Sequence, residues 1–350
     1  MIFKWLSVLS LSLSLSVLPA FIMADTECPT VSSAEDRRSN KKQFRLVQYN
    51  VEWLFVDYYS SANCPGDGCT WKTEADAKTH LSYVSNVLNE LEPDLVNFCE
   101  VEGCDELNMV INFSTSNSGA YKSYLKKGTD TSTGQNVGMI TKIDPLVSLY
   151  RTETKVTYPI AGSNCGYTGS PSTSGVSKHY ITEYNFNNLK TAFIAAHLIA
   201  IPTDATRCAQ REAQAQVLQY VVKDYVSKGY EIILLGDMND YDAEVLDVNS
   251  DNPKSKVLDI LKGLDGEYKG KYTLTNVASR VAQNERFSDW WDSDNNCATS
   301  SQKDYSMIDH ILTTSKINSK IVNAFIYHGY KEYCGKWNSD HYPVVVDFAF

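Results

Sequence analysis

The chain has 350 residues, 43% of them hydrophobic and 21% charged, with a formal net charge of −10. That composition supplies ample core for one large domain or two ordinary ones, and it excludes a disordered or fibrous chain. The acidic balance excludes a generic electrostatic nucleic-acid binder, although a metal ion and a small basic patch can still hold a phosphodiester.

Residues 1–24, MIFKWLSVLSLSLSLSVLPAFIMA, carry one early lysine, an apolar stretch and a small residue before Asp25. This is the pattern of a secretory signal cleaved after Ala24. A membrane anchor is the competing reading, weakened by the serines that alternate with leucines from Ser10 to Ser16. Removing this segment removes one charge, Lys4, and takes −10 to −11. No later run is apolar for long enough to span a bilayer, so a secreted protein is expected, either released or retained at the cell surface, most simply a monomer.

Residues 25–42 are polar and charged and read as a flexible lead-in; a single domain is expected over 43–350. FRLVQYNVEWL (44–54) is the first strand. A Cys/Gly/Pro loop fills 60–71. A helix is predicted over 73–91, from the helical spacing of Leu81, Val84, Leu88 and Leu91, with Pro93 ending it. DLVNFCEVE (94–102) is the next strand and a short helix follows near 105–112. Strands are predicted near 137–142, 147–153, 178–186 and 190–200, with a Gly/Ser/Thr loop at 162–175. A long helix runs from about 207 to 227, with Ala213, Val217, Val221 and Tyr225 on one stripe. EIILLGD follows, then a helix near 253–263 and strands near 305–312, 321–327 and 342–349. Strands in consecutive runs with few helices between them fit an α+β sandwich of two packed sheets with helices outside, and not a regular βαβ alternation.

All nine cysteines lie beyond the signal, which suits disulfides in a secreted chain. Cys64–Cys69 is the best local pair; Cys165–Cys208 and Cys297–Cys334 are further candidates. Nine is odd, and Cys99, inside an apolar strand, is expected to be the free thiol. Asn112-Phe-Ser114 is a glycosylation sequon, compatible with the same compartment.

The strand ends carry the chemistry. Asn50 and Glu52 end the first strand, two apart and so on one face. Glu100 ends the second. His197 ends AFIAAH, and Asp237 and Asn239 end IILLGDMN. Asp309 and His310 sit in SMIDHIL, and Asp340 and His341 in SDHYP before the last strand. Singly, each has a bland reading: a turn former, an edge charge or, for His197 and His310, a hydrogen-bonded core histidine. His310 keeps that reading, since it neighbours Asp309 and points to the other face. Together, so many acids, amides and histidines on hydrophobic strands are costly to bury unless they converge on one cation and one anion. Carboxylates and amides without a Cys/His quartet favour a hard ion, Mg2+ or Mn2+, with Ca2+ as an option, over zinc. That set suits metal-assisted phosphoester hydrolysis, with a His–Asp pair moving protons near neutral pH.

QYNVEWL, NFCEVE, AAHL, LLGDMND, SMIDHIL and SDHYPVVV, in that order across 44–349, resemble the endonuclease/exonuclease/phosphatase superfamily, which includes deoxyribonuclease I-like enzymes. The resemblance implies a four-layered α/β sandwich of mainly antiparallel sheets with the site at one end. It implies Glu100 as principal metal ligand with Asn50, Glu52 and Asp340 nearby. Asp237 and Asn239 would orient nucleophile and phosphate, and His341 would act at the scissile phosphate with Asp309 orienting it. His197 would be the second histidine. The glutamate that supports that histidine in the deoxyribonuclease I-like branch is missing: TGQNVGM offers Gln135 and Asn136 instead. His197 is then expected to steady phosphate. Lys178 stands where relatives place a basic phosphate contact. Arg207 and Arg211, in AQREAQAQ, resemble the corresponding helix of secreted nucleases, either reaching the site or making surface ion pairs.

The expected activity is a secreted metal-dependent phosphodiesterase acting on nucleic acid. The alternatives are a phospholipid phosphodiesterase of sphingomyelinase type reaching a head group, a phosphomonoesterase, and a non-enzymatic binding module. Trp71, Trp290 and Trp291 lie in loops where they would stack on bases, insert into lipid or simply pack.

Overall fold

The computed structural model describes residues 27–56, 71, 73–114, 118–292, 302–330 and 338–350. In chain order the elements begin β1 (Gln43–Leu54), α1 (Glu74–Leu91), β2 (Leu95–Val101), α2 (Cys104–Phe113), β3 (Lys122–Leu125), β4 (Asn136–Thr141), β5 (Val156–Tyr158) and β6 (Ser172–Ser174). They continue β7 (Lys178–Phe186), β8 (Leu189–His197), α3 (Ala205–Ser227), β9 (Glu231–Asp237), α4 (Val257–Leu261), β10 (Thr275–Asn276) and β11 (Asp289–Trp290). The last are β12 (Tyr305–Ser306), β13 (Asp309–Thr313), α5 (Ser315–Asn318), β14 (Ile321–Ile326) and β15 (Val344–Ala349).

Two sheets carry the fold, in the orders β14-β15-β1-β2-β4-β3 and β10-β13-β9-β8-β7. Each contains one parallel pair, β1/β2 and β8/β9, and is otherwise antiparallel. A parallel neighbour requires a long crossover, which α1 and α3 supply. Leu46, Leu95, Met139 and Phe348 of one sheet pack on Phe193, Ile233 and Ile311 of the other. One residue along each strand the side chains turn to the outer faces. Val47 and Val96 meet Leu81, Val84 and Leu88 of α1 and Leu107 of α2. Ile194, Ile232 and Leu234 meet Val217, Leu218 and Val222 of α3 and Val257 of α4. These contacts make four layers, helix, sheet, sheet, helix, as expected. Burial on both faces is why LVNF and IILL read as continuous apolar runs.

The helix ends follow their capping residues. Thr73 accepts the Asp76 N–H at the start of α1, and Glu92 closes it in the left-handed conformation with its N–H on Leu88 O, directly before Pro93. Asp204 caps α3 by accepting from Arg207 N–H. No helix among the described residues is long and apolar enough to cross a membrane.

Several expectations need correction. The described part of the polar lead-in is fastened to the domain. Cys28 is disulfide-bonded to Cys104, Asp36 bridges Ile143, and Arg37 reaches Asp144 at 2.6 Å. Its charges serve as anchors, which composition alone does not reveal. The strand near 147–153 does not form. Tyr150 exchanges both main-chain bonds with Ile181, but the Thr152 N–H turns to His179 Nε2 and the ladder stops there. The helix near 253–263 shrinks to α4 because the Ser255 hydroxyl is drawn to Asp240 and Gly263 adopts φ +73°. The strand near 305–312 is broken at Met307–Ile308, where the Ile308 N–H bonds Ser288 Oγ. Cys165–Cys208 is formed and Cys99 is a buried free thiol. The pairs Cys64–Cys69 and Cys297–Cys334, and the signal segment, lie outside the described residues.

Candidate active site

The site begins with register. Lys178 pairs with His197, His197 with Asp237, and Asp237 with Asp309, one residue from each of β7, β8, β9 and β13. Directly paired residues project from the same face of a sheet. A single row across four strands therefore holds a lysine, a histidine and two aspartates side by side. The row can form because a glycine precedes Asp237 at the end of β9. Gly236 has φ +147°, and a Cβ there would lie 1.7 Å from Ala196 O.

The opposing sheet closes over this row. Asn50 Nδ2 donates to Asp237 Oδ2 at 3.0 Å and to Glu100 Oε1 at 3.2 Å. Gln48 Nε2 donates to Asp309 Oδ1 at 3.0 Å. Glu100 Oε2 accepts the Trp53 N–H, and Glu52 Oε2 accepts the Asp340 N–H. Asn239 donates its N–H to Asp237 Oδ1 at 2.8 Å and its amide to Leu198 O. Four non-glycine residues at this end, Glu52, Trp53, Glu100 and Asn239, have φ between +44° and +67°. The positive φ re-aims each side chain at the end of its strand.

His341 stands between carboxylates. Its Nδ1 donates to Asp309 Oδ2 at 2.7 Å, and its Nε2 faces Asp289 Oδ1 at 3.5 Å and Asp340 Oδ1 at 3.9 Å. Burial opposes the imidazolium, but Asp309, Asp289 and Asp340 outweigh it and hold His341 well above its usual pKa. His197 goes the other way. Burial first, then the Lys178 and His341 charges, push it well below the ordinary value, so it is a neutral imidazole. Burial and the Asp309 charge raise Asp237. Enclosure and the Glu52 carboxylate raise Asp340, and burial raises Asp289 to about 6.

Asp289 is the site residue the sequence reading missed. A main-chain bridge joins it to His341, Ser306 Oγ donates to its Oδ2, and it was hidden in a tryptophan-rich loop without a hydrophobic strand to flag it. Ser288 beside it donates to Asp309 Oδ2. Asp289, Asp340 and His341 lie close enough to share one metal ion, as do Asp237, Asp309 and His341. The ion partners that the structure gives Glu100, Asp289 and Asp340 are histidines. Oxygen donors crowded this way, with raised carboxyl pKa values, fit a hard divalent cation. Of the four expected ligands, Asp340 belongs to one of these groups, Glu52 accepts its N–H, and Asn50 donates to Glu100 beside them.

Two expected substrate contacts fare differently. Lys178 lies in the row, its Nζ 3.4 Å from His197 Nε2 and donating to Gln135 Oε1 at 3.0 Å. Gln135, which stands where the resembled branch has a glutamate supporting the histidine, therefore supports the lysine. Arg211 is not a substrate contact. It is 0% exposed, pairs with Asp240 at 3.0 Å and donates to the carbonyls of Ile199, Ala200, Ile201 and Pro202. A guanidinium offers five donors, and here they tie down the loop after β8. His310 is a core residue as expected, between Asn276 Nδ2 and Asp240 O. Trp71 and Trp290 are buried; Trp291, two residues after Asp289, is 68% exposed.

No family model matches the chain, and no curated protein matches its sequence. Solved structures do. The 3′ phosphatase NExo from Neisseria, bound to product DNA hairpin, aligns with 88% of this chain and 100% of its own at TM-score 0.56 and 14% identity. An AP endonuclease from Archaeoglobus fulgidus aligns over 87% and 99%, at 0.54 and 13%. An endonuclease/exonuclease/phosphatase family protein from Leptotrichia buccalis aligns over 88% and 100%, at 0.51 and 12%. The chain has the endonuclease/exonuclease/phosphatase fold. At such identities architecture is what is shared, and chemistry rests on the residues described above.

Proposed function

We propose that this chain is a secreted, divalent-metal-dependent phosphodiesterase that hydrolyses nucleic-acid phosphodiester bonds. The observation that carries this is the in-register row Lys178–His197–Asp237–Asp309, closed by the Asp309–His341 pair and facing Glu100 and Asp340. A bound Mg2+ or Mn2+ would neutralise the phosphate charge that builds in the transition state. The chain's own residues do the rest. Asp237, raised by burial and steadied by Asn50 and Asn239, is placed to orient the attacking water and take its proton. His341, charged and fixed by Asp309, presents its second N–H to a phosphate oxygen. His197 and Lys178 line the same row and steady the phosphate. Similarity in fold to a 3′ phosphatase bound to product DNA and to an AP endonuclease supports a nucleic-acid substrate, as does the exposed Trp291, a platform for a base.

The signal pattern and the disulfides Cys28–Cys104 and Cys165–Cys208 support an oxidising, extracellular setting. The same exposed Trp291 favours one alternative, insertion into a lipid surface by an enzyme that cleaves phospholipid head groups. Incubation of the oxidised protein with supercoiled plasmid decides between them. Nicking with Mg2+ or Mn2+ that stops with EDTA and in His341→Ala is expected. A folded, metal-loaded protein that leaves plasmid intact and hydrolyses sphingomyelin vesicles would replace the nuclease reading with the lipid one.

A further inference from the structure

Beside the active-site end of β7 lies a second polar cleft of about 230 Å3, lined by Thr129, Arg151, Glu153, Lys155, Thr173 and Ser177 among others. It is smaller than the roughly 300–1,000 Å3 of pockets that enclose whole drug-sized ligands, and its size suits one phosphate with part of its sugar. It adjoins the catalytic row. Ser177 precedes Lys178 in the chain, and Thr129 donates its N–H to Ser177 O. The next residue, Asp130, sets its carboxylate 3.8 Å from Lys178 Nζ.

Arg151 is the cleft's principal charge. Its side chain is 5% exposed. One terminal nitrogen donates to Ser177 O at 2.7 Å, the other to Val176 O and Thr129 Oγ1. Its Nε is buried and has no hydrogen-bond acceptor. Buried donors are nearly always partnered, and an orphan calls for an explanation. The carboxylate at hand is Glu153, 3.9 Å from Nε and 78% exposed, a contact that solvent screens. Burial therefore dominates and lowers the Arg151 pKa from its ordinary value. A buried, under-compensated guanidinium with Lys155 and several hydroxyls around it is an anion site by its chemistry.

We propose that the Arg151 cleft is a second phosphate subsite, which takes a backbone phosphate of a polynucleotide on one flank of the scissile bond. The proposal rests on the nuclease reading and deepens it: substrates long enough to fill both positions are preferred over dinucleotides.

The test compares wild type with Arg151→Gln and Lys155→Gln. Because Arg151 also braces the chain at 176–177, the exposed Lys155 keeps the test meaningful if Arg151→Gln misfolds. Anisotropy titrations with a labelled 20-mer single strand in EDTA report binding across a salt series. Cleavage of the 20-mer and of a dinucleotide in Mg2+ gives their kcat/KM ratio. Expected is about a 10-fold weaker 20-mer affinity, a salt slope shallower by about one phosphate contact, and a fall in the 20-mer to dinucleotide ratio of similar size. Unchanged affinity, slope and ratio in folded variants would overturn the subsite. If wild type cleaves plasmid while the variants match it, only the subsite fails. If wild type neither binds the 20-mer nor cleaves plasmid, the nuclease reading fails and the subsite falls with it.

Discussion

Asp309 Oδ2 lies 2.7 Å from His341 Nδ1 and also accepts from Ser288 Oγ, while its other oxygen accepts from Gln48 Nε2. The carboxylate is fully engaged, so it orients and charges the imidazole without moving itself. Asp309→Asn keeps the size of the side chain and removes that charge. Plasmid cleavage is expected to fall by about 10²–10⁴-fold, the usual worth of positioned acid–base groups, with near-native circular dichroism. Wild-type rates in a folded variant would remove the pair from the mechanism.

Asp289 faces the other nitrogen of the same ring. Outer partners that fix a site residue are worth roughly 10–100-fold. Asp289→Asn is expected to lower kcat within that range with KM little changed. Steady-state kinetics separates the two, and an effect confined to KM would make Asp289 a substrate contact.

Metal and fold are linked through the crowded acids. A cation that binds only the folded state adds about 2.7 kcal/mol at a hundredfold excess over its Kd. Mg2+ or Mn2+ is expected to raise Tm by several degrees and EDTA to reverse it. Glu100→Gln should shrink the shift, as calorimetry with and without metal will show; an identical shift in the variant would assign the ion to other residues.

Arg211 predicts a loss of stability with catalysis spared. Removing one partner of a buried ion pair costs about 3–5 kcal/mol. Arg211→Met should unfold at correspondingly lower urea while the folded fraction retains its KM. A raised KM at unchanged stability would return Arg211 to the substrate.

Acid should release the N-terminal segment. Burial acts to raise the Asp144 pKa, but hydrogen bonds from Arg37 and Tyr124 outweigh it and hold the carboxyl well below the usual range. A depressed folded pKa stabilises above the unfolded value of about 3.9, and that contribution is lost as pH falls through the folded value. Asp144→Asn should therefore flatten the decline of stability below about pH 4 in urea titrations. An unaltered acid limb would place the sensitivity elsewhere.

Much of this was legible in the sequence. Continuous apolar runs and the 3.6-residue helical spacing place β1, β2, β8, β9, α1 and α3 to within a few residues. The polar residues at the ends of apolar strands, Asn50, Glu100, His197, Asp237 and, at the start of β13, Asp309, do meet. What escaped depends on partners remote in sequence. Arg211 looks like a surface cation until Asp240 and the carbonyls of 199–202 close on it. Asp289 enters the site through a two-residue strand, β11, too short to leave a pattern. Cys28–Cys104 spans 76 residues, and spacing alone gives no hint of it.

The left-handed backbone at Glu52, Trp53, Glu100 and Asn239 has a consequence for how this protein can change. Each such conformation costs about 1–3 kcal/mol relative to an ordinary one. The most heat-resistant descendants of this chain would relax those four positions first, to glycine or to plain strand, and would swing the Glu52 and Glu100 carboxylates out of aim as they did so. Selection for durability alone and selection for hydrolysis therefore pull this one end of the sandwich in opposite directions, while leaving the remainder of both sheets indifferent to the contest.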